Sequence, residues 1–381
     1  MARITRVETF VYRAPIATTI KTSSPTMPDP ATVLVRIEDS DGAFGWGEVW
    51  GDSPCLGAEY RACLLDTVLA DRLLGCDSNA SPSVFWADAD RALHIQCLRT
   101  GEPGAFAAAL AGLDIAMNDL AARRADVPLW KYLGGNDGSP VRVYASGIHA
   151  GSCSLELVRD ARRKGFRAFK IKIGCGDGQD VATLERVAEK LATDEWLMAD
   201  ADQAWDITSA CRIAGLLSEL PLSWIEEALA ADRPSWEWAQ VKAASDAPLA
   251  AGENLRGVLT FQKLIADGYL SVFQPNMCKW GGFSGTLAVG RAIIAADRAF
   301  CPHHSAGGVG LIASLHLLAT VRGPGLVKVD INPNPLREEL LSDVLCIRDG
   351  SAELPAAPGL GFTPNLAAFR EFGTQHTESK T

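Results

Sequence analysis

Three short acidic stretches set carboxylates at a regular interval: Asp200 in Met198-Ala-Asp-Ala-Asp-Gln-Ala-Trp205, Glu226 in Trp224-Ile-Glu-Glu227, and Glu253 in Ala251-Gly-Glu-Asn254. They stand twenty-six and twenty-seven residues apart, and each ends an apolar run that reads as a buried strand. Parallel strands alternating with helices give such a step. In a (β/α)₈ barrel the C-terminal ends of all strands open on one face, so the three carboxylates would converge there. Carboxylate oxygens without His or Cys companions suit a hard cation such as Mg²⁺. Unrelated strand-end acids facing water or lysines are the plainer reading, but the interval continues on both sides of the trio.

Upstream, Phe166-Arg-Ala-Phe-Lys-Ile-Lys-Ile-Gly174 alternates with period two, which puts Lys170 and Lys172 on one side of a strand. Lys172 lies twenty-eight residues before Asp200, one strand earlier. Two amines on one face repel, and a nearby cation lowers the pKa of the nearer one further, so a neutral general base near pH 7 becomes possible. Taken alone, the motif would read as an edge strand with solvated lysines. Downstream, Leu270-Ser-Val-Phe-Gln-Pro-Asn276, Ala299-Phe-Cys-Pro-His303-His304 and Leu326-Val-Lys-Val-Asp330 keep the interval. His303 therefore falls on the same barrel face as a second acid/base group, opposite Lys172.

In order along the chain, Gly45-Trp-Gly-Glu48, Ala111-Gly-Leu-Asp-Ile-Ala-Met-Asn-Asp119, Pro128-Leu-Trp-Lys-Tyr-Leu-Gly-Gly135, the Lys-x-Lys strand and the three acids are followed by Gln274-Pro-Asn276, Gly281-Gly282, Pro302-His303 and Asn332-Pro-Asn-Pro-Leu-Arg337. Together they resemble the mandelate racemase subgroup of the enolase superfamily over nearly the whole chain. The resemblance implies one Mg²⁺ per subunit on Asp200, Glu226 and Glu253, a base at Lys172, and His303 as the second acid/base group. Lys170 would tune Lys172 and touch the substrate carboxylate. The implied first step is removal of the proton α to a carboxylate; such a carbon acid is very weak, and the charge that develops must be neutralised. Dehydration of a sugar acid to a 2-keto-3-deoxy acid is the first expectation. Racemisation, epimerisation or cycloisomerisation is the alternative, and a non-catalytic binding protein a third reading.

Some positions depart from the pattern. Asn276 stands where an Asp usually pairs with the histidine, and an amide cannot stabilise imidazolium by charge. Lys328 falls near a position where Glu is common, Asp202 replaces an Asn and brings negative charge toward the substrate, and Ala228 replaces a Pro. Substrate contacts are expected from Lys170, Asp202, Asn276, Lys279 in a βα loop, and Trp50 in a capping loop. Glu227 and His304 are out of phase and should be structural. His149 follows the first barrel strand and could approach its mouth.

The elements that would position these groups are an α/β architecture, a modified TIM (β/α) barrel with an N-terminal α+β capping domain. Residues 1–135 form the cap, 136–345 the catalytic barrel, and 346–381 a tail that by resemblance packs back on the cap. Residues 3–13, 31–39 and 43–50 alternate as antiparallel strands, and Gly57 to Arg124 is helical. Ala17–Pro30, rich in Thr, Ser and Pro, reads as a mobile capping loop. Residues 375–381 are polar and expected to fray.

The chain has 381 residues, enough for a barrel and one further domain. A formal net charge of −10 without basic runs argues against nucleic-acid and anionic-membrane partners. No run of eighteen uncharged apolar residues is present, so no membrane span is expected. Ten cysteines without CxxC spacing suggest mostly buried thiols in a reduced, cytoplasmic compartment. The expected partners are a small-molecule carboxylate substrate and further copies of the chain in a homo-oligomer.

Overall fold

The computed structural model describes residues 1–15, 29–174, 176–305, 307–341, 344–367 and 370–381. The loop expected over Ala17–Pro30 lies almost wholly outside them. Strands β1 (Ile4–Arg13), β2 (Ala31–Asp39) and β3 (Phe44–Trp50) pair antiparallel in sequence order. Period-two alternation sends the two faces of this sheet into different cores. Val7, Val11, Val33, Val35 and Val49 meet the capping helices. Phe10, Tyr12, Leu34 and Trp46 join the core continuous with the barrel.

The helix Pro103–Arg124 is apolar all round and lies buried beneath β3, the environment such a helix requires. By length and composition it could cross a membrane, although Asp114 and Asp119 interrupt it, so the expectation of no uncharged apolar run of eighteen stands. Most of its apolar window is covered by the rest of the protein. Close approach explains the glycines of Gly45-Trp-Gly-Glu48. A Cβ at Gly47 would lie 2.0 Å from the Gly112 carbonyl oxygen, so only hydrogen fits where strand and helix touch.

Eight parallel strands follow: β4 (Val141–His149), β5 (Ala168–Lys172), β6 (Trp196–Asp200), β7 (Leu222–Glu226), β8 (Leu249–Ala251), β9 (Val272–Phe273), β10 (Ala299–Phe300) and β11 (Val327–Asp330). They pair in order from β4 to β10, and β11 pairs with β4. The β10–β11 seam is bridged by Lys328 N–H to the Pro302 carbonyl at 3.3 Å. A hairpin of β12 (Ile347–Arg348) and β13 (Ser351–Ala352) adds antiparallel to the start of β4. The last strand, β14 (Gly373–Lys380), pairs antiparallel with β1.

That final strand corrects the expectation of a frayed end. Its main chain is held by the open edge of β1. His376 stacks on Phe10 at 4.4 Å, and Thr377 donates to Asp66 at 2.6 Å. A strand whose outer side faces water can be polar throughout, so composition hides it. The thiols also differ from expectation: of the nine described, only Cys278 and Cys301 are buried.

Cap and barrel are joined by carboxylates set at barrel-helix N-termini, where backbone N–H groups lack partners of their own. Asp114, inside the long cap helix, accepts from Phe283 N at 2.7 Å and Ser284 N at 3.0 Å at the start of Gly282–Ala295. Glu48 on β3 accepts from Gly307 N at 2.6 Å and Gly310 N at 2.8 Å at the start of Gly308–Val321. Asp119 accepts from Trp46 N at 2.8 Å and from Leu360 N of the tail at 2.6 Å. All three acids are buried. Asp114→Ala, which strands two buried donors, should lower the unfolding free energy by about 2–4 kcal/mol. Asp114→Asn, which keeps an acceptor, should cost less. An Ala variant with an unchanged denaturation midpoint would show that this contact does not hold the cap.

Candidate active site

The barrel interior is built in layers by the two-residue period of its strands. One apolar residue per strand position forms a plug: Tyr144, Ala168, Met198, Trp224, Ala250, Val272, Cys301 and Leu326. Two residues further along each segment, toward the C-terminal face, stand Ser146, Lys170, Asp200, Glu226, Gly252, Gln274, His303 and Lys328. A polar layer thus rests directly on an apolar one. In the hydrogen-bonded register Asp200 stands beside Glu226 and beside Lys172, while Lys170 stands one pair further in, beside Met198.

Charge in this layer is tightly compensated. Lys170 Nζ lies 2.5 Å from Glu226 Oε1 and 3.0 Å from Asp200 Oδ2. The second oxygen of Glu226 accepts from Gln274 Nε2 at 2.6 Å and from the Trp224 indole at 3.1 Å. Glu253, two residues past β8, takes Lys279 Nζ at 2.8 Å and His303 Nε2 at 2.9 Å. Burial alone would lower the Lys170 pKa, but Asp200 and Glu226 outweigh it and hold the ammonium well above its usual range. Burial pushes His303 well below the ordinary histidine range and, with Lys170, lowers Lys328.

Lys172 departs from its expected tuning. Burial pulls its pKa down, yet Asp200, Asp202 and Glu253 pull it up more strongly than Lys170 opposes, and the net direction is upward. Asp202, expected beside the substrate, instead pairs with Lys172 at 3.1 Å. Accessibility separates the two lysines. The Lys172 side chain is 22% exposed and that of Lys170 1%, so Lys172 is the one that reaches the open mouth.

The remaining residues fall into place around this layer. Lys279 also bonds Asn254 Oδ1 at 3.0 Å and sits 4.4 Å over the Trp50 ring, which ties the cap to Glu253. Trp50 carries Arg61 near its ring at 5.1 Å. Asn276 contacts His303, treated below. Glu227 is held by the Asn254 amide at 2.9 and 3.1 Å, and His304 Nε2 bonds the Gly307 carbonyl at 2.7 Å. His149 aligns beside Lys172 in the β4–β5 register. The functional reading of the sequence passed over Trp224 and Gln274. Their signal was parity, since each shares the inward phase of its strand.

An all-carboxylate donor set fits a hard cation in kind. As the side chains stand, no group of three His, Cys, Asp or Glu among the described residues is arranged to hold a metal ion. Lys170 spans Asp200 and Glu226, while Glu253 is paired with Lys279 and His303. Asp200 and Glu226 share the polar layer, Glu253 adjoins it through His303, and all three are compensated by the protein's own donors.

Comparison with known proteins agrees with this architecture. Residues 4–134 match the family described as mandelate racemase / muconate lactonizing enzyme, N-terminal domain, and residues 154–368 match enolase C-terminal domain-like. A mandelate racemase/muconate lactonizing enzyme structure from Bordetella bronchiseptica RB50 superposes with a TM-score of 0.88 at 45% identity, covering 97% of this chain and 99% of that one. L-talarate/galactarate dehydratase from Salmonella typhimurium LT2, solved with Mg and L-lyxarohydroxamate, gives a TM-score of 0.87 at 27% identity over 100% and 95%. The 3,6-anhydro-alpha-L-galactonate cycloisomerase of Streptomyces coelicolor is 32% identical over 94% of this chain and 96% of its own length. Related enzymes include dehydratases, cycloisomerases and an epimerase. With its cap, its barrel and both family matches in order, the chain belongs to the mandelate racemase / muconate lactonizing enzyme family of the enolase superfamily.

Proposed function

We propose that the chain removes the proton α to the carboxylate of a sugar acid and then expels the β-oxygen, in the first place as a dehydratase yielding a 2-keto-3-deoxy acid. The observation that carries this reading is the open lysine, Lys172, placed across a layer of buried carboxylates from His303. Asp200, Glu226 and Glu253 would hold one Mg²⁺ per subunit. When bound, Mg²⁺ supplies positive charge against the carboxylate oxygens on which charge develops as the proton leaves.

The chain's own residues do the rest. Neutralising Asp200 and Glu253 would remove two of the three pulls that raise Lys172, leaving burial and Lys170 to lower it toward a working base. Lys172 Nζ takes the α-proton. On the other side His303 donates a hydrogen bond to the β-hydroxyl, which takes up a proton from solvent and leaves as water. Trp50 and the cap close the mouth and keep water from the reacting carbon. Cycloisomerisation is the second reading, favoured by the Streptomyces relative. Its leaving oxygen differs only in remaining tethered to the substrate.

Incubating mono- and diacid sugars with the Mg²⁺-loaded protein in D₂O distinguishes the outcomes. A 2-keto-3-deoxy product carrying one solvent deuteron is expected. Substrate returned with deuterium and inverted configuration, without loss of water, would replace the dehydratase by an isomerase. Absence of exchange on every acid would favour the non-catalytic reading.

Two substitutions test the assignments. Glu253→Gln keeps volume and removes charge, so Mg²⁺ affinity measured by calorimetry should fall beyond the roughly 10–100-fold typical of losing an outer-shell partner. Normal Mg²⁺ binding would remove Glu253 from the ligand set. Lys172→Ala should slow α-proton exchange by about 10²–10⁴-fold. Near-normal exchange in that variant would place the base elsewhere.

A further inference from the structure

Both ends of the Asn276 amide are engaged. Its Oδ1 accepts from the backbone N–H of Cys278 at 3.0 Å and of Lys279 at 3.2 Å, while its Nδ2 lies 3.1 Å from His303 Nδ1. Turning the amide over would set its –NH₂ against two backbone donors. Each stranded buried donor costs about 1–3 kcal/mol, so the backbone decides the orientation and the imidazole must conform. The –NH₂ is a donor only. It can bond Nδ1 only through the ring lone pair, so a proton on Nδ1, in either the neutral or the charged ring, would oppose donor to donor. A neutral imidazole has one N–H, and it is left on Nε2.

An acceptor for that proton is in place, since Glu253 Oε2 lies 2.9 Å from Nε2. Lys328 Nζ, 2.8 Å from the same nitrogen, competes as a donor for a lone pair there. Satisfying it would require the proton on Nδ1, at the expense of the Asn276 contact or of both backbone bonds. A proton on Nδ1 would keep the Lys328 bond and lose both the Asn276 and the Glu253 contacts, whereas a proton on Nε2 keeps those two and gives up one.

We propose that Asn276 fixes His303 as the Nε2–H tautomer, a hydrogen-bond donor toward Glu253 with no lone pair on that nitrogen to accept a proton. An Asp at 276 would act in the opposite sense, accepting Nδ1–H and freeing Nε2 to serve as a base. Asn276 is thus a positioning residue that acts through His303. The catalytic consequence rests on the reading above: with Lys172 as the base on one face, the opposite face lacks a second base at His303. Two-base racemisation is thereby disfavoured and assistance to a leaving oxygen favoured.

The test is ¹⁵N NMR of histidine-labelled full-length protein, recorded with and without Mg²⁺, with the His303 signals identified by their loss in His303→Gln. Expected in the wild type are a protonated, pyrrole-type Nε2 and an unprotonated, pyridine-type Nδ1. Asn276→Asp should bring a proton to Nδ1. A protonated Nδ1 in the wild type would overturn the proposal, as would an identical His303 pattern in the two proteins. Should Asn276→Asp fail to fold, the wild-type spectrum decides alone. No substrate is present, so failure of the proposed reaction leaves this result untouched.

Discussion

Charge buried on top of an apolar plug must be compensated within a few ångströms, and this requirement organises the catalytic end of the barrel. Below lie Tyr144, Met198, Trp224 and Val272; directly above lie Lys170, Asp200 and Glu226. An unpaired ion there would cost several kcal/mol. The acids here are accordingly met by a lysine, an imidazole or an amide, and Lys170 by two carboxylates. Such a layer is sensitive to any added cation, because its members already share one set of counter-charges.

The same economy of partners holds the cap in place. Helix N-termini of the barrel open on the catalytic face and present unpaired N–H groups there. Asp114 and Glu48 fill two of them from the cap. His316, buried in a barrel helix, links the Trp130 N–H at 3.1 Å to the Leu360 carbonyl at 3.3 Å. Burial lowers its pKa to about 4, so it remains a neutral bridge between cap, barrel and tail. Motifs that in the sequence appeared only as family marks, Gly45-Trp-Gly-Glu48 and Asp114 to Asp119, are the contacts by which the lid is fastened over the mouth.

Much of the candidate site was legible in one dimension. A period of two placed Lys170 with Lys172, and a step near twenty-seven residues brought Asp200, Glu226, Glu253 and His303 to one face. Both are properties of strand and barrel geometry, and neither depends on packing detail. The polar strand at Gly373–Lys380 was not legible, since its pairing depends on an edge left open by β1 far earlier in the chain.

What the residues determined unaided is therefore the barrel, the phase of its inward side chains and the chemical kind of the groups on its catalytic face, because local periodicity carries that information. Only the tertiary structure decided how charge is shared. Lys170 is consumed between two acids, Asp202 turns to Lys172 and raises it, and Asn276 faces His303 with a donor because two backbone N–H groups hold its oxygen. These outcomes depend on distances between side chains from different strands. A pKa or a tautomer follows from those distances, and sequence spacing does not contain them.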